Sequence, residues 1–437
     1  MRKIKLAVIG AGARGFLSYM PYVLRSPHEA EVVAVAEPHE ERRTRFAEAF
    51  NLTSAQLYAT WEELLSRPKL CDAVLICTQD QMHFEPTAAA LRRGYHVLLE
   101  KPMSHSPAEC VEMERIAREE DRLLSICHVS RYTPFWQTVK QLVQDGRIGQ
   151  VMSIQHNENV GYLHYAHSFV RGNWRNDALA SPMILAKSCH DMDLIRWIVD
   201  ADCAKVSSFG SLGHFRLDQA PAGSTDRCTD GCKAESTCPY SAPRFYMQDL
   251  EANRFAALIA DPPTEANRMK AILEGPYGKC VYRTDNNVVD HQTVNMEFEN
   301  GVTVMFSMCG FTRDMNRIVQ IMGTQGEIRG NLLSGRIELF EFASGTQTVI
   351  PVPAGEGGHQ GGDDGIMRQF LSDLRHERYR DTLTSAAASL ESHLMAFAAE
   401  ESRRSGGTVI DMKRYRQSLA AASWDDAGEQ THGSQSG

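Results

Sequence analysis

Gly10-Ala11-Gly12-Ala13-Arg14-Gly15 sets three glycines at the spacing G-x-G-x-x-G, directly after the apolar run Lys5-Leu6-Ala7-Val8-Ile9. Glycines at this spacing permit a tight turn and let the backbone approach a pyrophosphate. The helix that follows offers unpaired N–H groups and the positive end of its dipole. The chemistry implied is dinucleotide binding through Gly10, Gly12, Ala13, Arg14 and Gly15. The next apolar run ends at Ala36-Glu37-Pro38. A carboxylate at that place accepts hydrogen bonds from ribose hydroxyls and repels a 2′-phosphate, so Glu37 favours NAD over NADP. Arg42 and Arg43 follow closely and read as a solvated helix face.

A second constellation is Cys228-x3-Cys232-x5-Cys238-Pro239, in a stretch of Ser, Thr, Asp and Gly that apolar burial would hardly order. Three thiolates suit a structural zinc ion, which takes four ligands; His214 or another cysteine would complete the set. The spacing is not that of a standard zinc ribbon, and a metal-free cysteine loop is the competing reading. Other cysteines, such as Cys71, Cys77, Cys110 and Cys127, sit singly in apolar runs. In a reducing compartment they act as small buried hydrophobes.

The elements that must hold these groups alternate over residues 1–128. Strands are expected at Lys5 to Ile9, Glu31 to Ala36, Ala73 to Thr78, His96 to Leu99 and Leu123 to Cys127. Helices are expected at Arg14 to Arg25, Glu40 to Phe50, Pro86 to Arg93 (closed by Gly94) and Ser106 to Glu120. Such alternation predicts a parallel, doubly wound sheet, a Rossmann domain. Residues 129–424 read differently. After a helix at Phe135 to Gln144 come strands at Val151 to Glu158, Lys205 to Leu212, Lys279 to Tyr282, His291 to Phe298, Thr303 to Met308, Ile318 to Gly323 and Glu327 to Gly330. These predict an α+β domain with a large, mostly antiparallel open sheet, covered on one face by helices that include Pro182 to Val199 and Leu383 to Arg403. Residues 425–437 are polar and Gly/Ser-rich and predict a disordered tail.

The chain has 437 residues and a formal net charge of -9. That length predicts two domains. The charge leaves no basic excess to release counterions, so a bulk nucleic-acid binder is not expected. Met1-Arg2-Lys3 leads at once into a strand rather than a signal segment, and no apolar run is long enough to span a bilayer. A cytoplasmic protein with no membrane or nucleic-acid partner is the expectation.

Three further segments extend the glycine motif. Cys77-Thr78-Gln79-Asp80-Gln81-Met82-His83 resembles the T-P-N-x-x-H of the glucose-fructose oxidoreductase / inositol dehydrogenase (Gfo/Idh/MocA) family. Glu100-Lys101-Pro102 is similar to its E-K-P, and Arg131-Tyr132 followed by Asp145-Gly146-Arg147-Ile148-Gly149 to its passage into the second domain. Gly323-Thr324-Gln325-Gly326 and a late helix near Glu391 to Ser402 carry the likeness almost to the C-terminus. The resemblance implies a Rossmann domain followed by an α+β domain whose sheet forms a homo-oligomer interface. It also implies sugar, inositol or related polyol substrates, with Thr78, Gln79, His83, Glu100 and Lys101 around the dinucleotide.

Oxidising a secondary alcohol needs a hydride acceptor and a group that removes the hydroxyl proton. The resemblance assigns Lys101 to the nicotinamide side and His190 to acid/base work. The family pattern D-x-G-x-H-x-x-D aligns with Ala186-Lys187-Ser188-Cys189-His190-Asp191-Met192-Asp193, so Ala186 replaces the first aspartate, which contacts substrate in relatives. Lys187 then points into the pocket toward an anionic or carbonyl group, or else faces solvent; Asp191 is a further polar candidate. The segment Glu158 to Arg175 offers donors, acceptors and flat aromatic faces suited to polyols: Tyr162, His164, His167, Arg171 and Trp174. Two activities fit: a dehydrogenase that releases NADH, and a redox-neutral NAD-dependent glycosidase that oxidises, eliminates, hydrates and re-reduces.

Overall fold

The computed structural model describes residues 2–251, 253–380 and 382–419. The expected tail at 425–437 lies outside the described residues. Six parallel strands make the first sheet: β1 (Ile4–Ile9), β2 (Ala30–Ala36), β3 (Leu57–Tyr58), β4 (Ala73–Ile76), β5 (His96–Leu99) and β6 (Leu124–Ile126). Their order is β3-β2-β1-β4-β5-β6. The direction of winding reverses between β1 and β4, which opens a crevice beyond their C-terminal ends where doubly wound sheets take ligands. Leu6, Val8, Val74, Leu75, Val97 and Leu98 are buried on both faces of this sheet, so β4 reads as an unbroken aliphatic run and β1 and β5 nearly so.

The second sheet has nine strands in the order β14-β13-β12-β11-β7-β10-β9-β8-β15. They are β7 (Val151–Asn159), β8 (Cys203–Ser211), β9 (His291–Phe298), β10 (Thr303–Cys309), β11 (Asn316–Gly323), β12 (Gly326–Asn331), β13 (Arg336–Glu341), β14 (Thr346–Pro351) and β15 (Ile410–Asp411). Only β7 and β10 pair in parallel; the other neighbours are antiparallel. Strict alternation in β9, from exposed His291 to buried Phe298, sets one face against helices and leaves the other open.

Several elements differ from the sequence reading. Lys279 to Tyr282 is no strand; Lys279 makes one isolated bridge to Arg227. β3, β13 and β14 lie outside the expected set, as do helices Trp61–Leu65 and Gly362–Arg375. The helix expected from Arg14 opens as a wide π-turn over Ala13–Tyr19 and tightens to an α-helix at Met20–Arg25. Pro21, near that junction, has no amide hydrogen to donate, which favours a change of register there. The helix expected over Pro182 to Val199 is interrupted at Lys187-Ser188, giving Met183–Ala186 and Cys189–Val199. Helix Gly362–Arg375, far along the chain, covers the first sheet: Ile366, Met367, Phe370 and Leu371 join the core of Leu6 and Val8.

Candidate active site

The glycine turn follows β1 into the crevice, and each glycine there has its own reason. A Cβ on Gly10, whose φ is +91°, would lie 2.7 Å from the Cys77 carbonyl oxygen. A Cβ on Gly15 would lie 2.0 Å from the Gly10 oxygen. Both glycines are required by the protein's own backbone. Gly12 is different: a Cβ there would meet nothing within 4 Å among the described residues. Its glycine leaves open space above the turn, the room a pyrophosphate needs when it approaches the backbone. The residues present therefore fit a dinucleotide.

Glu37 directly follows β2 beside this cradle. Its Oε2 accepts from the Ala11 amide at 2.8 Å and its Oε1 from the His39 amide at 3.0 Å. Arg43 turns back onto the Glu37 and Pro38 carbonyls, while Arg42 is exposed. Arg14 is held away from the open space: its guanidinium bonds Glu100 at 2.6 Å and Asp363 at 3.0 Å. It ties the glycine turn to Glu100-Lys101 and to helix Gly362–Arg375. Burial would push the Glu100 carboxyl up, but Arg14 and Lys101 outweigh it and hold it below the usual carboxylate range. Glu100 Oε2 accepts the Lys101 amide at 3.0 Å, which fixes the Lys101 backbone.

Thr78 donates to the Met82 carbonyl at 3.0 Å, and Gln79 beside it is exposed. His83 is buried, with Nδ1 2.7 Å from the Pro102 carbonyl and Nε2 3.2 Å from that of Thr78. It braces the turns after β4 and β5 against each other. The same β4 turn docks on the second half of the chain: Asp80 accepts from Ser181 at 2.9 Å and from the Trp174 indole at 3.4 Å.

Lys101 reaches across this junction to the helix break just before His190. Lys101 Nζ donates to the Ala186 carbonyl at 2.9 Å and lies 5.6 Å above the Trp174 ring. That carbonyl accepts a side chain because the helix breaks one residue later. His190 sits in the first turn of Cys189–Val199. Burial, then the charge of Lys101, then neighbouring His128, push its imidazole well below its ordinary pKa, so it stays neutral. Its Nδ1 is sealed from solvent and, among the described residues, has no hydrogen-bond partner.

The remaining candidates divide. Asp191 faces inward, bound by His156 at 2.7 Å and Arg317 at 2.7 Å. Burial opposes its ionisation, yet Arg317 and His156 prevail and hold its carboxyl below the usual range. Lys187 is neither solvent-facing nor free: its Nζ is 3.1 Å from Glu158 Oε1. Arg317 NH2 lies 2.9 Å from Glu158 Oε2, an ion pair without hydrogen-bond alignment. His164 stacks on Phe255 and is held neutral by burial and by Lys187. Tyr162 is half-buried, edge-on to Tyr240. His167 packs on the other side of Phe255 from the site, stacked on Tyr277 with Nδ1 3.0 Å from the Tyr246 hydroxyl. Arg171 also points elsewhere, toward the cysteines, with its Nε donating to the Lys279 carbonyl at 2.8 Å. Cys228, Cys232 and Cys238 line one small cavity together with Cys280. His214 is not among them; its Nε2 meets the Tyr282 hydroxyl at 3.1 Å. Among the described residues, no three His, Cys, Asp or Glu side chains stand ready at single-ion spacing.

Sequence reasoning missed three residues here. His128, just past β6, is fully buried edge-on to His190 at 5.8 Å, and among the described residues neither of its ring nitrogens has a hydrogen-bond partner. His359 enters from the far end of the chain in a left-handed conformation (φ 49°), its Nδ1 3.0 Å from Asp363 and 3.2 Å from the Arg14 guanidinium. Arg317 joins Asp191 and Glu158 from β11. Only the run Gly357-Gly358-His359-Gln360-Gly361, with its demand for unusual backbone, carried a local signal of function.

A switch-point crevice with an open glycine cradle, facing a lysine and a neutral histidine, defines a dinucleotide-dependent oxidoreductase. Residues 4–128 match the NAD-binding Rossmann-fold model of the Gfo/Idh/MocA oxidoreductase family, and residues 140–412 match that family's C-terminal alpha/beta domain. The chain belongs to this family. It is 24% identical to the putative oxidoreductase YteT of Bacillus subtilis over 332 residues, covering 72% of this chain and 76% of that one. It is 26% identical to the scyllo-inositol 2-dehydrogenase (NADP(+)) IolW of Bacillus subtilis over 173 residues, only 40% of this chain and 46% of the relative. Levoglucosan dehydrogenase in complex with NADH shares the fold at 16% identity and a TM-score of 0.69, over 94% of this chain and 99% of that one. So does an Agrobacterium radiobacter oxidoreductase solved with NAD+, L-tartaric acid and magnesium (16%, TM-score 0.67, 94% and 99% covered). Among the described residues, no helix is long and apolar enough to cross a membrane.

Proposed function

We propose that this oxidoreductase removes hydride from a secondary hydroxyl of a sugar, inositol or related polyol, with NAD as the preferred dinucleotide. The observation that carries the reading is the convergence of the Lys101 ammonium and the neutral His190 imidazole beside the glycine cradle. Bound NAD supplies the hydride acceptor. Lys101, held by the Ala186 carbonyl, presents a positive charge that stabilises the alkoxide character developing on the substrate oxygen. His190 accepts the hydroxyl proton; with Nδ1 sealed off, Nε2 is the atom that takes it. Trp174 offers a flat apolar face beside Lys101, suited to the C–H face of a sugar ring. Lys187 keeps its charge on Glu158 and acts on substrate only through that pair. Glu37, with both oxygens already oriented by backbone amides, supports NAD over NADP because a 2′-phosphate would face its charge.

The open face of the second sheet supports assembly into homo-oligomers. Phe209, Met305, Ile318 and Phe340 are exposed on that one face, spread over four strands. Large apolar side chains spaced over an open face among polar neighbours such as Gln155, Asn295 and Arg329 suit a mixed, partly polar interface with a second copy.

The test is a screen of sugars, inositols and aryl glycosides with NAD and with NADP, following NADH absorbance and aglycone release together. Net NADH from a polyol supports the proposal. Aglycone release without net NADH would assign the redox-neutral glycosidase reaction to the same two residues. Lys101→Ala and His190→Ala that keep wild-type rates would overturn both.

A further inference from the structure

Residues 221–241 form a succession of turns with no helix or strand of their own. Three of their side chains are the thiols of Cys228, Cys232 and Cys238. What holds the segment is one short antiparallel contact. The Cys228 amide donates to the Gly278 carbonyl at 3.0 Å, and the Cys280 amide to the Asp226 carbonyl at 2.8 Å. With Arg227 opposite Lys279, Cys228 and Cys280 project from the same face of this bridge. Gly231, at φ +75°, turns the chain back toward Cys232, and the Cys238 amide closes a further turn on the Ala234 carbonyl at 2.8 Å. All four cysteines line a single cavity of about 20 Å3, room for one water-sized body.

The second observation is electrostatic. Arg171 lines the same cavity and is 1% exposed. Its Nε donates to the Lys279 carbonyl at 2.8 Å and its NH2 to that of Tyr240 at 2.8 Å, with the Cys228 sulfur 3.7 Å away. None of the ion pairs of the described residues includes it; Glu235, also on the cavity wall, turns to Ser241 and Arg244. A guanidinium this buried, with carbonyls and no anion, is costly. Four neutral thiols do not relieve it. Four thiolates around a metal do, because zinc(II) with four thiolates carries two net negative charges, as does a [4Fe–4S] cluster in its oxidised form.

We propose that Cys228, Cys232, Cys238 and Cys280 hold a thiolate-bound metal centre, with Arg171 as its buried counter-charge. The ligand chemistry is that of a thiophilic centre with four sulfur donors. For zinc, the ion enters as the four thiols close inward and lose four protons to solvent, with no change of oxidation state. For an iron–sulfur cluster, the thiols and the turns that carry them must open further, because the cavity as it stands holds one water-sized body. The centre does no hydride chemistry. It fastens residues 221–241 to Arg171, three residues before Trp174, and so steadies the pocket wall on which Lys101 rests.

The full-length chain, produced in medium containing zinc and iron and purified without chelators under anaerobic conditions, tests this directly. Plasma mass spectrometry, acid-labile sulfide and the visible spectrum are read on the same sample. About one zinc per chain without sulfide supports the ion. About four irons per chain with matching sulfide and absorption near 400 nm supports the cluster. Cys228→Ser and Cys280→Ser each lower the metal content at least tenfold, whereas Cys309→Ser, on β10, leaves it unchanged. Should the serine variants fail to fold, titration of wild-type protein with a mercurial decides: release of metal in step with four thiols supports the site. Metal below about a tenth of an equivalent, after attempted reconstitution with zinc and separately with iron and sulfide, overturns the proposal. So does a Cys228 disulfide in freshly prepared protein, or metal that survives loss of both Cys228 and Cys280.

Discussion

Replacing Gly12 and Gly15 by alanine, one at a time, separates a glycine kept for a ligand from a glycine kept for the fold. At Gly15 the new methyl would sit 2.0 Å from the Gly10 carbonyl oxygen, a backbone atom that moves only if the turn or the helix start moves with it. Overpacking of that kind costs about 1–3 kcal/mol. For a sheet domain of this size that is a fall in Tm of roughly 3–12 °C. At Gly12 the methyl meets nothing within 4 Å, and the backbone there (φ -77°, ψ -160°) suits alanine. Gly12→Ala therefore leaves the Tm of the unliganded protein within about 1 °C. The same methyl occupies the space through which a pyrophosphate would approach, so NAD binding weakens at least tenfold, or about 1.4 kcal/mol. Scanning fluorimetry without ligand and calorimetric titration with NAD measure the two effects on the same samples. Wild-type NAD affinity in Gly12→Ala would refute the cradle, and an unchanged Tm in Gly15→Ala would refute the packing argument.

His190→Ala is expected to lower kcat by about 10²–10⁴-fold while NAD affinity stays near wild type. Loss of NAD binding instead would make His190 a fold residue. Because burial and Lys101 hold His190 neutral, kcat/KM is expected to stay flat as pH falls from 8 to 7, with the acid limb below the usual histidine range. In Lys101→Met that limb shifts upward, since a charge opposing protonation is gone, and an unmoved limb counts against their coupling. Arg317→Met leaves the buried Asp191 with His156 alone and Glu158 with Lys187 alone, and should destabilise by about 1–3 kcal/mol, visible as a loss of Tm; a Tm within 2 °C of wild type contradicts the ion network. Burial lowers His393 to about 3 and His167 to about 4. The unfolded chain therefore takes up more protons than the native one from about pH 6.5 downward. Native stability should fall through that window, and a Tm constant between pH 6.5 and 4.5 would contradict the burial.

The sequence alone determined the parts whose signal is local. β4 is an unbroken aliphatic run, and β1 and β5 nearly so, because both their faces are buried, and the Gly10–Gly15 spacing reflects a backbone approach within six residues. Lys101 and His190 were legible because short motifs surround each of them. β3, two residues long, and helix Gly362–Arg375, which opens on a glycine-rich stretch, had too little pattern to be read. Tertiary structure alone decided where long-range partners lie. It sent Arg14 to Glu100 and Asp363, Lys187 to Glu158, and Arg171 to the cysteines rather than to a substrate. It also brought His128 beside His190, and laid a helix from residues 362–375 over the first sheet. The physical reason is that periodicity and turn chemistry report on neighbours within a few positions. Which buried charge finds which counter-charge depends on how separate segments pack, and that is settled only when apolar faces have closed over them.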